Sequence, residues 1–206
     1  MEKKDILMDT ILKSAMTEFL HNGYDKASMR VIASKANVTT GALYARFSNK
    51  DKLFATLVEP VASDFINICN RNNLNNEIKI CSSHRIGNIN IETSQEIVDL
   101  IYENADIFSL LINGSNGSSY ENFIEKIIEI EEREVLNLLN KFKKQGYPTM
   151  EVSELEIHVL VSGQCHTLFE VVRHNITKEE ASIQVRNIIN FYSCGWRKIY
   201  GFPDEE

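Results

Sequence analysis

Residues 28–47 read SMRVIASKANVTTGALYARF, and their pattern decides how the rest of the chain is read. Ser28 stands where a short helix would begin, and its hydroxyl can accept a bond from one of the unpaired N–H groups at a helix start. Val31, Ile32 and Ala36 follow at helical spacing and give that helix an apolar side. Asn37 stops it, because Asn tolerates the left-handed conformation and bonds its own backbone. Val38 is the apolar residue of the turn, and Thr39 or Thr40 caps a second helix whose inner side carries Leu43 and Phe47. The outer side of that helix presents Thr40, Gly41, Tyr44, Ala45 and Arg46: hydroxyls, small residues that permit close approach, and a guanidinium. Such a surface suits phosphates and base edges, as in a DNA-reading helix-turn-helix. By spacing alone the stretch also fits a plain helical hairpin inside a core.

The flanking residues separate these two readings. Upstream, Ala15, Phe19, Gly23 and Tyr24 stand in the order A-x-x-x-F-x-x-x-G-Y, and downstream Lys50, Leu53 and Phe54 lie within F-S-N-K-D-K-L-F. Taken together, residues 15–54 resemble the N-terminal DNA-binding domain of the TetR (tetracycline repressor) family. The resemblance implies an all-α protein: a three-helix helix-turn-helix DNA-binding domain over residues 1–50, and a larger helical effector-binding and dimerisation domain over 51–206. It further implies a homodimeric, ligand-responsive repressor that binds a palindromic operator in double-stranded DNA and is released by a small molecule. Tyr44 and Lys50 match the family's phosphate-contacting tyrosine and lysine. Ser28, Arg30, Thr39, Thr40, Gly41, Ala45 and Arg46 complete the expected DNA-binding set. Lys50, beside free N–H groups at the start of a fourth helix, fits a phosphate clamp, with a solvated surface lysine as the alternative. A second reading of the whole is a nucleoid-associated or division-site factor on the same fold that answers to a protein partner. Release of the protein from its own upstream DNA by a small molecule would separate the two.

Charge distribution agrees with binding at one end. The net charge is −7, yet residues 1–54 carry nine Lys/Arg against six Asp/Glu, whereas 55–206 carry 13 against 23. A basic head docks on DNA while an acidic body is repelled by it. No apolar run approaches the ~20 residues needed to span a bilayer. The stretch MEKKDILMDT lacks the pattern of a signal peptide. Cys69, Cys81, Cys165 and Cys194 are scattered without a C-x-x-C pair, which fits reduced thiols in a cytoplasmic protein.

The remaining elements follow from periodicity and punctuation. A first helix over 4–22 carries Ile6, Leu7, Ile11, Leu12, Ala15, Phe19 and Leu20 as its apolar stripe, Gly23 ends it, and Tyr24 plugs the small core. The fourth helix is interrupted by Pro60, which predicts a kink near residues 56–60. Residues 70–92 are Asn-rich and read as a linker or ragged helix end, and Thr93 with Glu96 reads as a capping box. The helix behind it breaks near Asp106, and 113–119 is a loop by composition. A long helix from Ser118 or Ser119 to about Lys144 places Glu131 in the middle of an apolar sector, where a carboxylate needs a partner. A cationic effector in an internal cavity or an internal Arg or His would each supply one. Two more capping boxes, at Ser153/Glu156 and Thr177/Glu180, open helices over about 154–175 and 178–200.

Those last two helices resemble the family's dimer-forming pair, with Val159, Ser162, Gly163, His166, Val185, Ile188, Tyr192 and Trp196 as interface candidates. Effector-binding candidates are Phe65, Cys69, Tyr102, Phe108, Tyr120, Phe123 and Glu131, side chains equally at home in a core. His166, Glu170 and His174 share a helix face, but H-E-x-x-H and clustered cysteines are missing, so no metal or cofactor is expected. The catalytic signatures are missing too, and an enzyme is not expected.

Overall fold

In a computed structural model the helical periodicity of the chain is realised, among the described residues, as nine α-helices and no strand. It describes the backbone of residues 3–83, 91–174 and 176–202, and the side chains of 6–71, 93–174 and 176–202. In order these are α1 (Lys3–Lys26), α2 (Met29–Lys35), α3 (Thr40–Tyr44), α4 (Lys50–Ser83), α5 (Ile91–Glu103), α6 (Ala105–Ser109), α7 (Phe123–Lys144), α8 (Glu154–Arg173) and α9 (Lys178–Ile199). A π-helical turn, Leu110–Gly114, follows α6 directly. Packing groups the chain into two compact units, Met1–Ser63 with Asn104–Phe123, and Asp64–Glu103 with Ile124–Glu206. These are units of contact, whereas the division at residue 50 is one of expected role. Among the described residues, no helix is long and apolar enough to cross a membrane.

The first unit is built on α1. Ile11, Ala15 and Phe19 are fully buried, and so are Ile32 of α2, Leu43 of α3, and Leu53, Phe54 and Val58 of α4. Phe54 meets Phe19 edge-on at 5.0 Å and Tyr24 at 5.2 Å, so Tyr24 packs as the plug expected of it. Tyr120, from the second segment of the unit, adds a tilted contact to Phe54 at 6.2 Å. Gly23 breaks α1 near its end with φ 69° and ψ 168°, a conformation essentially closed to residues with a Cβ. Three expected apolar positions are solvent-exposed instead: Ile6, Leu20 and Val31. The face of α2 turned inward runs through Met29, Ile32, Ala33 and Ala36, which leaves Val31 on the outside.

In the second unit the two C-terminal capping boxes form as read. The Ser153 hydroxyl accepts the Glu156 N–H while Glu156 reaches back to the Ser153 N–H, and Thr177 and Glu180 do the same. The expected box at Thr93 does not form, because α5 already begins at Ile91 and Glu96 instead pairs with Arg71 of α4. The Asn-rich stretch is helical as far as Ser83, so α4 is longer than its periodicity indicates; residues 84–90 lie outside the described ones. Asn supplies a poor but tolerable helix interior, and an α4 already nucleated upstream extends through it. That helix also passes through Pro60 without a break. The start of α7 is later than expected. Ser118 and Ser119 are spent in a turn, where the Ser118 N–H donates to the Ser115 carbonyl and the Ser119 N–H to Asp51 Oδ1, at 2.9 and 2.8 Å.

Because Gly23 holds a backbone conformation that only glycine adopts readily, Gly23→Ala is expected to destabilise the protein by roughly 1–3 kcal/mol. Thermal and urea melts measure this directly, and an alanine variant as stable as the parent would contradict the assignment.

Candidate nucleic-acid interface

The interface begins with a buried carboxylate that is absent from the apolar stripe read for α1. Glu18 lies on the buried side of that helix, seven residues after Ile11 and three after Ala15, so the apolar stripe itself carried the signal. Its oxygens accept from Lys35 Nζ at 2.9 Å, Asn22 Nδ2 at 3.0 Å and the Ser28 backbone N–H at 3.3 Å. Burial on its own would raise this carboxyl, but the Lys35 ammonium and the three hydrogen bonds outweigh it and hold Glu18 below its ordinary range. Both ends of α2 are thereby fastened to α1. Ser28 occupies the N-cap position, as expected, but its hydroxyl makes no capping bond.

The turn and second helix form as the sequence indicates. Asn37 takes the left-handed conformation at φ 54°, and the Val38 N–H returns to the Ala33 carbonyl at 3.0 Å. Thr39 is the N-cap of α3, its hydroxyl accepting the Ala42 N–H at 3.1 Å. Leu43 and Phe47 anchor the inner side and are buried. On the outer side Arg30, Thr39, Gly41, Tyr44, Ala45 and Arg46 reach solvent to differing degrees. Arg30, Gly41, Tyr44, Ala45 and Arg46 are exposed or nearly so, and the two threonines flank them at the start of α3. Tyr44 keeps 48% of its surface in solvent. Arg46 lies just past the end of α3, and its Nη1 is 3.5 Å from the Ala42 carbonyl, too long to fix the guanidinium. Lys50 does not project freely as a surface lysine would. Its Nζ donates to the carbonyls of Tyr24, Asp25 and Ala27 at 2.6, 3.0 and 3.3 Å and sits 4.4 Å from the centre of the Tyr24 ring.

The effector candidates fall in both units. Phe108 and Phe123 are buried in the first, where Tyr120 also packs. Phe65 and Cys69 are buried in the second, with Phe65 against Phe169 at 5.4 Å. Burial pushes the Cys69 and Cys165 thiols up, and the charge of half-buried Glu131 adds to the effect at both. The Tyr102 hydroxyl donates to the Ile176 and Thr177 carbonyls at 2.6 and 3.1 Å. The second unit also has an open cleft of about 800 Å³ between α4 and α5, lined by residues such as Asp64, Arg71, Glu96 and Asp99, and none of the seven candidates borders it.

The dimer candidates divide between the inner and outer sides of α8 and α9. Val185 is fully buried against its own chain, and a Cβ on Gly163 would lie 3.1 Å from the Tyr192 hydroxyl. Burial of Val185 corrects its assignment to an outer face, and Gly163 lies at the contact between α8 and α9. Trp196 donates from Nε1 to Gln164 at 2.7 Å within the same unit. Among the large apolar residues left outside are Val159 and Leu155, which share a helix side by periodicity, and three that periodicity does not assign to this face: Leu160, Ile183 and Phe191. His174 and Arg173 both pair with Glu170, and no group of three His, Cys, Asp or Glu side chains among the described residues is arranged to hold a metal.

A capped short helix held by a left-handed turn against its partner helix, with a polar and aromatic outer face, defines a helix-turn-helix in an all-α chain. Residues 11–57 match the family model of bacterial regulatory proteins, tetR family, about a quarter of the chain. Solved structures share the whole fold. NalD, the secondary repressor of the MexAB-OprM multidrug efflux pump in Pseudomonas aeruginosa, aligns over 92% of this chain and 97% of its own at 16% identity and a TM-score of 0.59. A transcriptional regulator from Aquifex aeolicus VF5 aligns over 90% and 98% at 15% identity, again at 0.59. FadR from Bacillus subtilis, in complex with stearoyl-CoA, aligns over 90% and 97% at 15% identity and 0.55. At such identities the likeness is one of fold.

Glu18 is depressed in the folded state, so its contribution to stability is present above the ordinary carboxylate range and is lost as pH falls through its folded value. Glu18→Gln is expected to cost roughly 1–3 kcal/mol at pH 7, less than a fully enclosed pair because the Lys35 ammonium is partly in solvent. Urea melts at pH 7 and near pH 3 test this: the penalty of the substitution must shrink in acid, and an unchanged penalty would rule the pairing out.

Proposed function

We propose that the protein is a homodimeric repressor that binds a palindromic operator and lets go of it when a small molecule occupies the residue 51–206 region. Each subunit inserts α3 into a major groove, with half-sites about one helical turn apart. Thr39, Thr40, Gly41, Tyr44, Ala45 and Arg46 meet the duplex, and Arg30 steers from α2. Tyr44 and Arg46 carry the polar contacts, the phenol and guanidinium being the two long donors on that face.

The observation that supports pairing is the apolar outer surface of α8 and α9. Leu155 is 71% exposed, Val159 and Ile183 each 59%, and Phe191 75%. Beside them a groove of about 450 Å³ is lined by Leu160, Phe191, Tyr192, Cys194, Gly195, Trp196 and Ile199. Large aliphatic and aromatic side chains exposed on two adjacent helices mark an association surface, and two helices from each of two copies complete a four-helix bundle. A small-molecule effector is supported by the fold, on which the Bacillus subtilis neighbour is in complex with stearoyl-CoA.

Enrichment of a random-sequence duplex pool by the purified protein is expected to return inverted repeats, and Tyr44→Ala with Arg46→Ala is expected to abolish that enrichment. Recovery of sequences without two-fold symmetry would rule the operator model out. Retention of DNA in the presence of every small molecule that binds the chain would favour a factor answering to a protein partner. A Leu155→Asp/Phe191→Asp variant is expected to sediment as a monomer and to bind the selected duplex at least about tenfold more weakly, since a lone head forfeits the second half-site. A dimeric variant would move the interface elsewhere.

A further inference from the structure

We infer that the cleft between α4 and α5 is a binding site for an organic cation, an ammonium head carried on an apolar body. This deepens the effector reading above and rests on it for any effect on DNA. Each helix gives the cleft one face about two turns long. Asp64, Ile68 and Arg71 stand at i, i+4 and i+7 on α4, and Glu96, Leu100 and Glu103 repeat that spacing on α5. Arg71 and Glu96 pair with each other. Asp64 and Glu103 each lie about 10 Å from that pair along their own helix, and both are exposed. Among the described residues neither carboxylate has a hydrogen bond or an ion pair. Buried Ile68 and half-buried Leu100 supply the apolar surface in between.

The charges select the ligand. Among the described residues the cleft is bordered by the carboxylates of Asp64, Glu96, Asp99 and Glu103 and by the guanidinium of Arg71. Arg71 is engaged by Glu96, and Asp99 by Lys178 at 2.8 Å and Gln95 at 2.9 Å. An anion entering here meets a negative field whose guanidinium is already taken. A neutral apolar molecule gains only the surface of Ile68 and Leu100. A cation with an apolar body gains that surface and two carboxylates without partners. The volume, about 800 Å³, accommodates such a molecule. The wall is also set in advance. Asp99 with Lys178, and the Tyr102 hydroxyl with the Ile176 and Thr177 carbonyls, fasten α5 to the start of α9 before any ligand arrives.

Phenylbutylamine, phenylbutanol and phenylbutyrate share one apolar body and differ in charge. Calorimetric titration of the full chain without DNA, at low salt, is expected to show the amine binding about tenfold more tightly than the alcohol, with the carboxylate weakest. Raising the ionic strength is expected to narrow that gap, because exposed carboxylates are screened. Asp64→Asn/Glu103→Gln is expected to bring the amine down to the affinity of the alcohol. An amine that does not bind, that binds no better than the alcohol, or that binds the variant equally well would overturn the inference. Should the variant fail to fold, carboxyl-carbon NMR of the wild-type protein decides. Asp64 and Glu103 signals that move with the amine and not with the alcohol support the site, and unmoved signals refute it. Release is scored separately, on a duplex selected by the wild-type protein. An amine that binds in the cleft and leaves the duplex bound refutes the effector reading while the site stands. Undiminished release by the amine from the double variant places the effector elsewhere and sinks the site.

Discussion

Five residues are too few to hold a helix in water, and the reading helix Thr40–Tyr44 has only five. Its existence depends on what surrounds it. The Thr39 hydroxyl satisfies one free N–H, Leu43 and Phe47 sink into the core, and Asn37 fixes the direction from which the chain arrives. Behind these stands Glu18, a charge costly to remove from water and tolerable only with its partners in place. Its oxygens gather Lys35 and the Ser28 amide, one from each end of α2, onto α1. A rigid short helix is the outcome, presenting a tyrosine and an arginine outward to solvent.

How far the sequence discloses this depends on whether the determining physics is local. The turn at Asn37, the Thr39 cap, the two C-terminal capping boxes and the stop at Gly23 each depend on residues within four positions of one another, and all stand as read. The partners of Glu18 and Lys50 escape a sequence reading for the opposite reason. Apart from Asn22, four residues from Glu18, these lie 10 to 26 residues away, and a partner set at that separation is not written in periodicity. Val31 fails differently: it is an apolar residue at a plausible spacing, although Met29 and Ala33 already fill the inward side. Thr93 and Glu96 illustrate a motif defeated by context, since a helix that starts two residues earlier leaves the threonine no end to cap.

The C-terminal pair shows the same limit on a larger scale. Both α8 and α9 are apolar on more than one side, and periodicity alone does not say which side meets the chain's own core. Phe169, Ala181 and Val185 turn inward, while Leu155, Ile183 and Phe191 remain in water. Gly163 marks the inner seam, where anything larger would press on the Tyr192 hydroxyl. The division of faces becomes legible only once the helices have been set side by side.

The first compact unit is drawn from two separated stretches of chain, so the backbone passes between units at residues 63/64, 103/104 and 123/124. α1 packs against the π-helical turn of the second stretch, and Tyr120 of that stretch leans on Phe54. Hybrid regulators made by splicing one protein's N-terminal piece onto another's remainder therefore inherit a seam through the middle of a core. A clean transplant of DNA specificity onto or off this scaffold has to carry Asn104–Phe123 along with Met1–Ser63.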